Sequence, residues 1–154
     1  MSIKMIRIDD RLIHGQVVAA WSKVLNINRI WVIDDNTAKD EFLSGVMRLV
    51  APPHVELVIT DENRIKELAK DFDEDNKNTL ILSKGPEVMK KIFMTGISHK
   101  ELNLGGMCAR PDRTKLFKQI SANKKELELL HDIKNMGIHV YFRVTPDDIE
   151  TEFE

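Results

Sequence analysis

The reactive side chains of this sequence are richest in one run, Arg7-Ile8-Asp9-Asp10-Arg11-Leu12-Ile13-His14-Gly15-Gln16. A neutral imidazole is a competent nucleophile near neutral pH. A phosphoryl carrier built on His14 needs one ring nitrogen free to attack phosphorus. The other must be held as N–H by an aspartate or a backbone carbonyl. Asp10 is a candidate for orienting His14 or Arg11, and Asp9 is a candidate pocket residue. Arg11 offers a forked, permanently charged donor for phosphate oxygens. If a helix begins just after His14, the amides of Gly15, Gln16 and Val17 face an anion at its N-terminus, where the helix dipole also favours negative charge. Gly15 leaves room for a phosphate to approach the backbone. The same residues also have an ordinary reading. A histidine at such a junction is commonly a capping or surface residue, and Asp9 and Asp10 can simply neutralise Arg7 and Arg11.

The surrounding pattern supplies that junction. Ile3–Ile8 reads as a strand, and Val17, Val18, Trp21, Val24 and Leu25 form one apolar helical stripe. Ile30–Ile33 is apolar throughout, as expected of a strand covered on both faces. Phe42, Leu43, Val46, Met47 and Val50 mark a helix ended by Pro52-Pro53. Val55–Thr60 is a third strand, after which Asp61 caps a predicted helix carrying Ile65, Leu68, Ala69 and Phe72. Leu80–Leu82 and Leu102–Leu104 are further strands, separated by a helix with Pro86 in its first turn and Gly96 at its close. Lys115–Ile120 is a candidate sixth strand. Asn123 and Glu126 have capping-box spacing for a helix striped by Leu127, Leu130, Ile133 and Met136, and Ile138–Val144 is the last strand.

This alternation predicts a single α/β domain over residues 1–154, with a mainly parallel sheet of about six to seven strands and helices on both faces. Ligands of such folds sit at the carboxyl ends of the strands, near a topological switch point. Ser83, Lys84, Asn103, Gly105 and Gly106 fall at such ends and are candidate pocket or docking residues, although the glycines also suit ordinary turns. Asp34 and Asp35 suit a helix cap better than catalysis. Arg110, Arg113 and Lys115 are candidates for a basic rim facing an acidic partner.

The chain's 154 residues suffice for one full core, and its net charge of −2 gives no reason to expect nucleic acid as a partner. No apolar run approaches the roughly 20 residues of a membrane span. The N-terminus lacks a signal-peptide pattern. A cytoplasmic protein that docks peripherally at the inner face of the cell membrane is therefore expected. Cys108 is the single cysteine, so no internal disulfide can form, and a buried or partly buried thiol is expected. His54, His99, His131 and His139 lack an Arg/Gly helix-start setting and show no metal-ligand spacing, so no metal site is predicted. A receiver-type signalling domain is the main alternative. It would use Asp9 and Asp10, phosphorylate Asp61 with Mg²⁺, and place Lys84 beside the phosphate. A nucleotide-binding module is disfavoured, because neither G-x-G-x-x-G nor a Walker A run follows the first strand.

The run Arg7–Val17, followed by Trp21, resembles the active-site signature of the IIB components of the mannose/fructose/sorbose phosphotransferase system (PTS) family. Val32-Ile33-Asp34-Asp35 with Ala38 and Asp40, Pro52-Pro53, Leu82-Ser83-Lys84 with Pro86, Asn103–Met107, and Gly137-Ile138 through Pro146-Asp147 resemble later family segments in the right order. The resemblance spans nearly the whole chain. Lys39, Gly85 and the loop Cys108–Arg113 depart from the usual pattern without touching the histidine run. The resemblance implies a phosphotransferase that accepts a phosphoryl group from a IIA protein on Nδ1 of His14, with Arg11 assisting. The group then passes to a sugar held by a membrane IIC/IID complex, without metal or diffusible cofactor. A weak homo-oligomer is compatible with this reading.

Overall fold

A computed structural model describes residues 2–66 and 76–154. The elements run β1 (Ser2–Asp9), α1 (Gly15–Val24), β2 (Arg29–Ile33), α2 (Asp35–Lys39), α3 (Glu41–Val50), β3 (Glu56–Thr60) and a 3-10 turn (Glu62–Arg64). They continue as β4 (Asn78–Ser83), α4 (Pro86–Phe93), β5 (Glu101–Gly106), β6 (Thr114–Phe117), β7 (Ile120–Ala122), α5 (Lys124–Asn135), β8 (His139–Phe142) and β9 (Thr151–Glu152). Seven strands form one sheet in the order β3-β2-β4-β1-β5-β8-β9. All neighbours pair in parallel except β8 and β9.

The side-chain period of two along β1 divides the molecule into two cores. Ile6 and Ile8 enter the core shared with Met89, Ile92, Leu130 and Ile133 of α4 and α5. Met5 enters the opposite core with Val18 and Trp21 of α1. Arg7 and Asp9 share Met5's parity, so two charged residues of a central strand point toward α1, and both are buried. After β1 the chain passes to β2 on one side; after β5 it passes toward β8 on the other. The carboxyl ends of β1 and β5 therefore form the switch point, where a crevice is expected. Asp9 pairs with Gly106 there, and the Asp10 amide donates to the Gly106 carbonyl at 3.0 Å.

Several expectations are borne out locally. Pro86 occupies the first turn of α4, and Gly96 follows its end at φ +80°. Asn123 and Glu126 form the reciprocal capping box of α5. Asp34 caps α2 by accepting from the Thr37 amide at 3.0 Å. Asp61 caps the 3-10 turn through the Asn63 amide, Ile65 and Lys66 directly after it are helical, and the positions Leu68, Ala69 and Phe72 lie outside the described residues.

Other expectations are corrected. The candidate sixth strand is a hairpin, because the chain reverses at Lys118-Gln119 and β6 pairs antiparallel with β7 outside the main sheet. The last predicted strand is shorter, and it gains an antiparallel neighbour, β9. The stripe of α3 faces outward: Phe42 is 78% exposed, and Leu43, Val46 and Val50 are also exposed. Helical periodicity shows that one face is apolar but not that anything covers it. Val24 is likewise exposed, and α1 is held by Val18 and Trp21. Among the described residues, no helix is long and apolar enough to cross a membrane.

Candidate active site

The turn after β1 is wound around one carboxylate. Asp9 Oδ1 accepts from the Arg11 amide at 3.1 Å and from Arg11 Nε at 3.0 Å. Asp9 Oδ2 accepts from Arg7 Nη2 and Arg11 Nη2, each at 3.2 Å, and lies 2.8 Å from His14 Nε2. The Leu12 amide donates to the Asp9 carbonyl at 2.9 Å, and Leu12 takes a left-handed φ of +56°. A buried leucine in that region is strained by about 1–2 kcal/mol. The hydrogen bonds to Asp9 and the burial of Leu12 hold it there.

Burial pushes the Asp9 carboxyl up, but the Arg11 hydrogen bond, the Arg7 charge and His14 outweigh it and leave Asp9 below the ordinary carboxylate range. Asp9 is therefore an anion at neutral pH. A carboxylate 2.8 Å from Nε2 holds that nitrogen as N–H and leaves Nδ1 with the lone pair. The His14 side chain is 24% exposed, so the ring can be reached from outside.

Arg7 supports Asp9 from below. Its guanidinium donates to Asn103 Oδ1 at 2.6 Å, Arg143 O at 3.1 Å and Val144 O at 3.0 Å, as well as to Asp9. Trp21 covers it, with Arg7 Cζ 5.8 Å from the ring centroid, and Trp21 Nε1 donates to Val144 O. Burial lowers the Arg7 pKa, and the Asp9 charge opposes that shift. Gly105 provides the space: a Cβ there would fall within the Arg7 guanidinium. A Cβ on Gly106 would lie 2.8 Å from Asp9 Oδ1 and 3.0 Å from Arg11 Nη2. The two glycines predicted as pocket or turn residues are thus sites of close side-chain approach. Sequence reasoning gave Arg7 no role beyond a charge to be neutralised; its signal was the shared parity with Asp9 on a central strand whose neighbouring residues Met5, Ile6 and Ile8 are apolar.

His14 is the extended residue preceding α1, and its side chain makes no cap bond. The first turn of α1 holds no acidic residue, so nothing there opposes an anion at the amides of Gly15, Gln16 and Val17. Gly15 has φ +48°, and a Cβ there would meet nothing within 4 Å. Backbone conformation, not crowding by the protein, is what favours glycine at this position.

The remaining candidates fall into place differently. Asp10 does not orient His14 or Arg11. It faces the loop after β5, accepting from the Cys108 amide at 2.8 Å, from Cys108 Sγ at 3.1 Å and from Arg113 Nη1 at 3.1 Å. Ser83 is buried and donates to Gly85 O, while Lys84 pairs with Asp34 at 3.3 Å. Asn103 is a buried support for Arg7 rather than a pocket wall. Arg113 is nearly buried between Asp10 and Glu126, so it does not belong to an open basic rim. Cys108 is exposed, against expectation, and its bond to Asp10, with partial burial, raises its pKa and keeps it a thiol. The contacts of Asp61 and Lys84 lie away from Asp9 and Asp10, so the receiver constellation is not assembled.

His139 lies against Glu101, Glu150 and Glu152 at the β8–β9 edge. His139, Glu150 and Glu152 bring metal-type donors together, and a protonated His139 can itself supply the positive charge among the three glutamates.

Comparison with known proteins places this geometry in context. A family model described as PTS system sorbose subfamily IIB component matches residues 3–154. A sorbose-specific EIIB component of Klebsiella pneumoniae is 30% identical over 148 residues, covering 96% of this chain and 90% of that protein. The mannose-specific EIIAB component of Escherichia coli K12 is also 30% identical across 96% of this chain, which spans only 46% of that longer protein. The crystal structure of the IIBSor domain of the Klebsiella pneumoniae sorbose permease superposes with a TM-score of 0.92 at 29% identity, over 99% of this chain and 93% of that one. With that family model matching almost from end to end, the chain belongs to the sorbose subfamily of PTS IIB components.

Proposed function

We propose that His14 is the phosphoryl carrier of this IIB component, attacking through Nδ1. IIB components are phosphotransferases that pass a phosphoryl group on to sugar, and family membership removes the receiver-type alternative. The observation that carries the residue assignment is the 2.8 Å contact between His14 Nε2 and Asp9 Oδ2. In the transfer, the P–N bond of a donor phosphohistidine breaks as the bond to Nδ1 forms, and the donor imidazole leaves. The Nε2 proton stays on His14. Positive charge grows on the ring as the Nδ1 lone pair is consumed, and the Asp9 anion stabilises it. Arg11 stands between Asp9 and solvent, with its side chain 38% exposed, and turns a charged edge toward the phosphoryl oxygens. The first-turn amides of α1 supply further donors.

The fused mannose-specific EIIAB relative supports a IIA protein as donor. The acceptor is a sugar presented by a membrane IIC/IID complex, at which this chain docks from the cytoplasmic side. Incubation with labelled phospho-IIA should give one acid-labile, base-stable phosphate in the wild type and none in His14→Ala. Label retained by a folded His14→Ala would refute the assignment.

A further inference from the structure

A second feature shares Arg11 with the His14 site. A cleft of about 420 Å³ opens there, lined among others by Arg11, Cys108, Lys115, Lys118 and Ser121. Three of its wall residues are cations, and among the described residues no carboxylate lines it. Two of the three have carboxylate partners behind the wall, Asp9 for Arg11 and Asp148 for Lys118, and Lys115 makes no ion pair among the described residues. The neighbouring positive charges are already engaged: Arg113 with Asp10 and Glu126, and Arg110 with Asp112 and Glu126. Arg11 uses Nε and Nη2 on Asp9. Lys118 leans on Asp148 at 3.6 Å and remains 54% exposed.

The β6–β7 hairpin that carries both lysines stands outside the main sheet. It is anchored through its second strand, where the Ser121 amide donates to Met107 O at 2.9 Å and Ile120 bridges to Met107. Its two-residue turn places Lys118 at φ +42°, a left-handed position where glycine or asparagine is ordinarily favoured. The hairpin thus holds a lysine at a conformational cost at the edge of a cationic cleft that shares Arg11 with the His14 site.

We propose that this cleft receives acidic side chains of the phosphoryl-donor protein and thereby orients the donor on His14. The inference rests on the carrier reading. Arg11 is accounted for by Asp9 and the phosphoryl group, but a neutral sugar acceptor gives no reason for the two hairpin lysines beside it, whereas an acidic protein surface does. A protruding carboxylate can enter a walled cleft that a flat bilayer surface cannot. Such charges act mainly on encounter, and their effect is screened by salt.

The test is Lys115→Glu/Lys118→Glu, with Arg11 untouched. Transfer from phospho-IIA should lose at least roughly tenfold in kcat/KM at low ionic strength, with a raised KM, and its salt dependence should flatten. Labelling of His14 by phosphoramidate, too small to span the cleft, should match the wild type. Unchanged transfer from phospho-IIA with unchanged salt dependence would overturn the docking assignment while leaving the carrier reading intact. So would unchanged transfer accompanied by lost binding to phosphatidylglycerol-containing vesicles, which would assign the cleft to the membrane. Failure of His14 to label from either donor in the wild type would overturn both readings.

Discussion

Asp9 is the residue on which the site turns, because one carboxylate fixes the tautomer of His14, the position of Arg11 and the charge balance of Arg7. Replacing it with asparagine offers Nε2 an amide that can donate instead of accept, which would leave the proton on Nδ1. Asp9→Asn should therefore slow single-turnover transfer on the order of a hundredfold. Nitrogen NMR should show Nδ1 protonated; an unchanged rate would rule out this role. The sign of the pH effect follows from the depressed carboxyl. Asp9's contribution to stability is present above the ordinary value of 3.8 and is lost as pH falls through its lower folded value. Urea unfolding across the acid range should show that acid limb in the wild type and a flatter one in Asp9→Asn. His14, Arg11 and Gly15 were legible as chemistry in the sequence, but the choice between Asp9 and Asp10 was not. Strand parity decides it: Asp9 continues the Met5–Arg7 face toward α1, whereas Asp10 begins the turn and reaches Cys108 and Arg113.

At the scale of elements, β5 matters as much as β1. Gly105 leaves the space that Arg7 fills, so Gly105→Ala must displace a buried guanidinium that holds Asp9. Disturbing a buried ion pair is strongly destabilising, on the order of 3 kcal/mol. Gly105→Ala should lower the urea midpoint and slow transfer together, and a variant with wild-type stability would contradict the packing account. The edge strand β9 carries a different pH response. Burial lowers the His139 pKa, but Glu101 and Glu152 outweigh burial and raise it above 6.5. That contribution is complete below the unfolded value and is lost as pH rises through the folded one. Wild-type stability should fall relative to His139→Gln as pH rises from the ordinary value of 6.5 through the raised folded one, as read by urea midpoints. The parallel strands and the α5 capping box were readable because propensity and capping chemistry are local. The hairpin was not, because its reversal at Lys118-Gln119 carries neither glycine nor asparagine. Strand β9 is two residues long and is defined by its neighbour, not by its own pattern.

Across the whole molecule, strand order does the positioning. Placing β1 between β4 and β5 brings the Asp9–His14 turn to the point where the chain's path diverges, with Gly105 and Gly106 alongside. The alternation of strands and helices implied a parallel sheet, but the neighbour of each strand is a long-range choice that a pattern of short apolar runs does not encode. The exposed face of α3 shows the same limit from outside, since its periodicity marked an apolar stripe and the chain leaves Phe42, Val46 and Val50 of that stripe exposed. The central claim is that the fold presents Nδ1 of His14 for phosphorylation while Asp9 holds Nε2. Phosphorus–nitrogen coupling in ¹⁵N-histidine-labelled protein after phosphoryl transfer tests it most directly. The account predicts one phosphohistidine, on His14, coupled through Nδ1. Phosphate on His14 Nε2, or on any other residue, would contradict it.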